Sequence, residues 1–138
     1  MPVRRKKVKR FVIDVNTYIT IFINRQTDWL QSYIIQNSLE IFTDSNLVEE
    51  LVRVLEYAHI KKYLPLDRIF YLTFIRSISS FIHAEDFGVK SPDEEDDYLY
   101  NLALTAHAGL LVTGEKALLK WKEAPVEAIN LAAFKQLF

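Results

Sequence analysis

The chain has 138 residues, of which half are hydrophobic, a quarter are charged and none is cysteine, and its formal net charge is -1. This length suits one core of ordinary domain size, and the composition excludes a disulfide framework, a thiolate metal site and a protein that is basic throughout. No apolar run approaches the roughly 20 residues that cross a bilayer, and none resembles a signal peptide, so we expect a cytoplasmic protein without membrane contact.

Basic residues crowd the first nine positions. We expect a basic N-terminal arm over residues 1–9 and a single domain over residues 10–138. A terminal charge run is usually a solvated tail, and contact with nucleic-acid phosphates is the alternative. Phe11-Val12-Ile13 predicts a short buried strand that ends at Asp14. Asp14 is suited to cap the next helix, and it also stands at the carboxyl end of a strand.

Two apolar helices are predicted next, from Tyr18 to Ile23 and from Trp29 to Ile35. Their aromatic and aliphatic residues exceed what one buried stripe requires. Two explanations are equally open. Either the surplus forms a face for self-association, giving a homo-oligomer such as a dimer, or both helices lie deep in a small core.

A second strand is predicted over residues 39–43, and Asp-Ser-Asn at 44–46 offers several caps for the helix that follows. Asn46 with Glu49 fits a capping box. Glu50 is three residues after Leu47 and four before Val54, two apolar positions of this helix, so it lies at the edge of the buried face. Glu49 lies on the polar side. Glu50 is therefore a candidate site residue.

A long apolar helix from Leu66 to about Phe81 and a short strand within residues 82–89 indicate packing rather than chemistry. The histidines have no partner at the spacing of metal ligands or of a catalytic pair. These isolated residues are His59, His83 and His107.

An acidic segment precedes the next strand. Ser91-Pro92-Asp93-Glu94 predicts a helix start, and Gly109 is expected to break that helix. Asp96 lies at the edge of the buried helical face, whereas Asp97 points away from it.

The segment Leu110-Leu111-Val112-Thr113 predicts a strand that is buried on both sides. Glu115 follows the carboxyl end of this strand, where open α/β sheets usually place their sites. A last short strand is predicted near residues 126–130, and a closing helix over residues 132–137.

Short buried strands alternate with helices, which predicts an α/β fold with a parallel sheet between helical layers. Four carboxylates are expected to meet at one edge of that sheet. Several carboxylates in one cleft repel each other unless a divalent cation supplies positive charge, and oxygen ligands suit Mg²⁺ or Mn²⁺. The four residues are Asp14, Glu50, Asp96 and Glu115.

Four segments, in this order, resemble the PIN-domain family, in particular the toxin components of toxin–antitoxin pairs. They are FVIDVNTYI, SNLVEELVRVL, DDYLYNLALTAHAGLLVTGEKALL and VEAINLAAFKQL, and together they span nearly the whole chain. The resemblance implies a three-layer α/β/α sandwich with a central, mainly parallel sheet. It also implies an acidic cleft that binds Mg²⁺ or Mn²⁺ and hydrolyses RNA phosphodiesters, and an antitoxin protein as partner.

The resemblance also assigns roles, position by position. Asp14, Asp96 and Glu115 would ligate the metal, and Glu50 would complete the cluster or orient the attacking water. Asn16, beside the first acid, would support the ligands through hydrogen bonds.

The sequence departs from the family pattern at two places. The fourth acid is usually Asp, and Glu115 adds a methylene, so its carboxylate is held less tightly and metal affinity is expected to fall. The loop before the third acid is longer than usual, which makes Asp97 a competing candidate, although helical phase favours Asp96.

Lysines around the cleft are candidates for attracting the substrate, with ordinary solvated lysines as the simpler interpretation. They are Lys116, Lys120 and Lys122, together with the N-terminal arm. Two other functions remain open: a binding module of the same fold that has lost catalysis, and a different metal-dependent nuclease or phosphatase. The sequence does not separate RNA from DNA as substrate.

Overall fold

The computed structural model describes residues 8–138 of the chain. Residues 1–7 of the predicted basic arm lie outside the described residues. Lys9, the last residue of that arm, is held against the domain: its Nζ donates a hydrogen bond to the carbonyl oxygen of Asn37 at 2.9 Å. The same nitrogen lies 4.4 Å from the centroid of the Phe138 ring.

The centre of the domain is a five-stranded sheet in which every neighbouring pair is parallel. In chain order the strands are β1 (Arg10–Ile13), β2 (Glu40–Thr43), β3 (Ser79–Phe81), β4 (Leu110–Val112) and β5 (Glu127–Ile129). Their spatial order is β3-β2-β1-β4-β5, so β1 lies in the middle. Because all strands point the same way, their carboxyl ends meet at one edge.

Helices cover both faces of this sheet, which confirms the predicted three-layer α/β/α sandwich. They are α1 (Val15–Ile23), α2 (Thr27–Asn37), α3 (Ser45–Leu55), α4 (Ala58–Lys61), α5 (Arg68–Ile78), α6 (Asp97–Thr105), α7 (Lys116–Leu119) and α8 (Leu131–Lys135), with a 3₁₀ turn at Glu94–Asp96. Three consecutive residues of β1, Phe11 to Ile13, and all three residues of β4 are buried, as expected of strands covered on both sides. Within residues 8–138 no helix has the length and apolarity that crossing a membrane requires.

Aspartates begin three of the helices. The Oδ1 atoms of Asp14, Asp44 and Asp67 accept hydrogen bonds from backbone amides three residues on, at 2.7, 2.9 and 3.0 Å. Each such cap stabilises a helix by about 1 kcal/mol. The predicted capping box is wrong, because Asp44 takes the cap of α3 and Asn46 lies inside its first turn.

The third strand lies earlier than the sequence predicted. Helix α5 ends at Ile78, and Ser79–Phe81 pair with Ile41–Thr43 of β2, whereas residues 82–89 form no regular element. Periodicity alone does not tell whether a short apolar run is helix or strand. The pairing of Ser79–Phe81 with β2 therefore determines where α5 ends and β3 begins.

Gly109 does not end the helix before β4. Helix α6 ends at Thr105, and His107 takes the left-handed conformation with φ 54°. Gly109 is needed for space instead, because a Cβ at this position would lie 2.7 Å from Cγ1 of Val8.

Burial accounts for most of the apolar surplus in the first two helices. Six of the nine residues of α1 are buried, including Tyr18 and Phe22, and α2 buries Leu30, Tyr33 and Ile34. This supports the core explanation for α1. On α2, Ile35 is 70% exposed.

Candidate active site

The first predicted acid lies at the centre of the carboxyl edge of the sheet. Asp14 directly follows β1 and is 7% exposed. Its Oδ1 accepts the Thr17 amide at 2.7 Å, and its Oδ2 accepts the Thr113 hydroxyl at 2.5 Å. Burial raises the pKa of Asp14, the hydrogen bonds from Thr113 and Thr17 oppose that shift, and the charge of Glu50 adds to it.

Thr113 connects two of the predicted acids. Its hydroxyl donates to Asp14 and accepts the backbone amide of Glu115 at 3.0 Å. The backbone of Glu115 is therefore held close to Asp14 through Thr113, while the side chain of Glu115 is exposed.

Glu50 extends from α3 and is held by a tyrosine of α6. The Tyr98 hydroxyl donates a hydrogen bond to Oε1 of Glu50 at 2.5 Å. Burial, this hydrogen bond and the charges of Glu50, Asp44 and Asp14 raise the pKa of Tyr98, so the hydroxyl keeps its proton and remains a donor.

Asp96 is the carboxylate whose pKa is affected by the charges of all three other predicted acids. Its pKa is raised to about 6, first by burial and then by the charges of Asp93, Glu115, Asp14 and Glu50. The charges of the three other predicted site residues therefore all act on Asp96.

Asp97 has a different role. Its Oδ1 accepts the amide and the hydroxyl of Ser91, at 2.8 and 2.6 Å. These hydrogen bonds lower the pKa of Asp97. Asp97 thus holds the loop before the 3₁₀ turn. The predicted helix start at Ser91 is wrong, because the α-helix begins only at Asp97 and Asp96 lies in the 3₁₀ turn before it. The choice of Asp96 over Asp97 as the third acid therefore stays a prediction.

Two hollows open beside the acidic residues. One, of about 580 Å³, is lined by Glu50 and Tyr98 together with Arg53 and Tyr57. The other, of about 420 Å³, is lined by Asn16 and Glu115. Glu50 and Glu115 therefore line different hollows.

Comparison with known proteins gives the family. The family model described as PIN domain matches residues 10–117, which is most of the chain. The chain belongs to the PIN domain family.

A solved structure has the same PIN fold. It is described as VapBC2 from Rickettsia felis bound to a DNA fragment from their promoter. The match has a TM-score of 0.58 and 16% sequence identity, and it covers 88% of this chain and 98% of that one. At this identity the likeness shows the fold. No curated protein matches the chain.

The donor set of this PIN domain fits a divalent cation such as Mg²⁺ or Mn²⁺. All four predicted ligands are carboxylates, and between described residues none of them forms a salt bridge. Among residues 8–138, as placed, no three His, Cys, Asp or Glu side chains are close enough to enclose one ion. Mg²⁺ commonly uses one or two carboxylates and keeps several waters, so the oxygen-only, mutually repelling set is still suitable.

Sequence reasoning missed three residues of this region. Thr113, Tyr98 and Asp44 were not predicted as site residues, although Asp44 was among the possible caps. The signal for Asp44 was present, because Asp44 follows a strand and begins a helix as Asp14 does. Tyr98 and Thr113 gave no signal, since their partners Glu50 and Asp14 are distant in sequence.

Proposed function

We propose that this PIN domain is a metal-dependent endoribonuclease and the toxin of a toxin–antitoxin pair, acting in the cytoplasm. The observation that carries the proposal is the position of two acids at the carboxyl edge of the sheet, where the Thr113 hydroxyl bonds to both Asp14 and the backbone amide of Glu115. The charges of Glu115, Asp14 and Glu50 also add to the effects of burial and of Asp93 on the raised pKa of Asp96. Carboxylates that repel one another in a cleft are a typical arrangement for binding a divalent cation. The membership in the PIN domain family supports the same activity.

The chain's own residues would divide the work. Asp14, Asp96 and Glu115 would hold Mg²⁺ or Mn²⁺, and Glu50, oriented by Tyr98, would complete the set or accept a proton from the attacking water. Thr113 would keep Asp14 in position, and Asn16 would support the ligands. The bound cation would supply positive charge to the phosphodiester as negative charge develops during hydrolysis.

Lysines beside the cleft would attract the RNA. Lys116, Lys120 and Lys122 are all exposed and follow Glu115 in the chain. They would offset the repulsion between the acidic cleft and the phosphates, an effect that weakens with added salt.

The decisive experiment is a cleavage assay on single-stranded RNA with Mn²⁺ or Mg²⁺. Asp14→Asn should keep the fold, because Asn also caps helices, and should lower activity by at least about a hundredfold, because a charged ligand is lost. Asp97→Asn is the matched control and should retain most activity, since Asp97 bonds to Ser91. The proposal is wrong if wild type cleaves no RNA with either metal or if Asp14→Asn cleaves as well as wild type.

The antitoxin is part of the proposal. The structural neighbour is a VapBC2 complex bound to promoter DNA, and by analogy this chain would pair with an antitoxin. Induced expression of wild type should arrest growth of a bacterial host, whereas Asp14→Asn should not. Equal growth of both strains at equal protein levels would contradict the toxin role.

Two alternatives have defined outcomes in the same assays. A catalytically inactive binding module, which the Glu115 departure favours, would bind RNA or protein without metal-dependent cleavage. Another nuclease or phosphatase would cleave single-stranded DNA or a phosphomonoester in preference to RNA.

A further inference from the structure

Asp44 directly follows β2, as Asp14 directly follows β1. Val12 pairs with Phe42 in the parallel register, and each aspartate lies two residues beyond its member of this pair. Neighbouring strands are ~4.8 Å apart, so the two residues leave the sheet side by side. Each also caps the helix that follows, Asp14 through Thr17 and Asp44 through Leu47.

The two aspartates differ in their second carboxylate oxygen. Oδ2 of Asp14 accepts the Thr113 hydroxyl. Asp44 is 2% exposed, and among the described residues its Oδ2 is buried without a hydrogen-bond partner. A helix cap needs only Oδ1, so capping does not explain why a charged residue, with its higher cost of burial, occupies this position.

Asp44 lies beside residues of the acidic cleft. It leaves the sheet next to Asp14, and it caps α3, the helix that carries Glu50. The Tyr98 hydroxyl of α6 holds Glu50 by donating a hydrogen bond to its carboxylate. Burial raises the pKa of Asp44 itself, and the hydrogen bond that its Oδ1 accepts from the Leu47 amide opposes this shift. A nearby cation would relieve this cost of burial.

We propose that Asp44 is a fifth carboxylate of the acidic site and that its Oδ2 supplies one more negatively charged oxygen to the divalent cation. The inference rests on the proposed function, because it assumes that the cleft binds such a cation. It adds a metal-binding residue at the carboxyl end of β2, the strand next to β1 on the side away from β4.

The test is a calorimetric titration of the full chain with MnCl₂ alone, combined with thermal melts in chelator and in MnCl₂. Asp44→Asn keeps an oxygen for the Leu47 amide and removes the charge. It should weaken Mn²⁺ binding about tenfold and reduce the rise in melting temperature caused by Mn²⁺. Its melting temperature in chelator should equal or exceed that of wild type, because a buried charge is gone.

Asp67→Asn is the matched control, since Asp67 caps α5 in the same way through Phe70. This variant should bind Mn²⁺ like wild type. If Asp44→Asn also binds Mn²⁺ like wild type, Asp44 is only a cap and the inference is overturned. If Asp44→Asn does not fold, Asp44→Ser, which also caps helices, takes its place in the same comparison.

The outcomes separate this inference from the proposed function. Mn²⁺ binding that depends on Asp44, in a protein that cleaves no RNA, would support the inference and overturn the ribonuclease. RNA cleavage by wild type with no effect of Asp44→Asn on Mn²⁺ affinity would do the reverse. Absence of Mn²⁺ binding by wild type would overturn both.

Discussion

At the residue scale, Asp96 should make the free energy of unfolding depend on pH, and a bound cation should remove this dependence. Its pKa in the folded protein, about 6, exceeds the ordinary value of 3.8, so the folded state binds the proton more tightly than the unfolded state. Stability from this group is therefore complete below about pH 4 and is lost as the pH rises to about 6. After a discount for partial exposure, the loss should be roughly 1 to 2 kcal/mol.

Urea unfolding between pH 4 and 7 measures this effect in chelator. Asp96→Asn should flatten the decline, because the amide does not titrate, and saturating Mn²⁺ should flatten it in wild type. Asp97→Asn is the control and should leave the decline in place, since the pKa of Asp97 is lowered by Ser91. An unchanged decline in Asp96→Asn would show that other groups cause it.

Glu115 should determine which metal works best. Its longer side chain is exposed, and among residues 8–138 the hydrogen bond between Glu115 and Thr113 is made by the backbone amide of Glu115, so the site is expected to be loose. Mg²⁺ requires near-ideal octahedral geometry, so wild type should be more active with Mn²⁺. Glu115→Asp should narrow the ratio of Mn²⁺ to Mg²⁺ cleavage rates several-fold, and Glu115→Gln should lower both rates. An Mn²⁺ preference that Glu115→Asp leaves unchanged would point to another ligand.

At the scale of elements, the start of β4 depends on a close approach between backbone and side chain. Gly109 lies where a Cβ would be 2.7 Å from Val8, whereas a Cβ at Gly114 would meet no atom within 4 Å. Gly109→Ala should lower the free energy of unfolding by about 1 kcal/mol, because Val8 must shift. Gly114→Ala should be neutral or slightly stabilising. Equal unfolding curves for both variants would show that Val8 moves without cost.

At the scale of the whole molecule, self-association through the first two helices remains a prediction. Ile35 of α2 and Ile69 of α5 are exposed to similar extents, 70% and 68%. If the dimer uses the region from Tyr18 to Ile35, Ile35→Lys should give a monomer in sedimentation while Ile69→Lys should remain a dimer. The opposite result would place the interface on α5, and a monomeric wild type would remove it.

The sequence by itself determined the architecture, and it singled out four acids as candidates for one site. Buried strands such as Phe11–Ile13 carry their own pattern, and an acid after a strand or at an inward helix edge can be located from spacing alone. In the fold the charges of Asp14, Glu50 and Glu115 add to the effect of burial on the pKa of Asp96, and the site that these four residues would form stays a prediction.

Only the tertiary structure decided contacts between residues that are distant in sequence. Ser79–Phe81 become a strand because β2 offers them hydrogen-bond partners, and Tyr98 reaches Glu50 across 48 positions. The difference between Asp14 and Asp44 has the same origin. The sequence pattern predicts a helix cap for both aspartates. Only the packed sheet provides a partner for Oδ2 of Asp14 and, among the described residues, leaves Oδ2 of Asp44 without one.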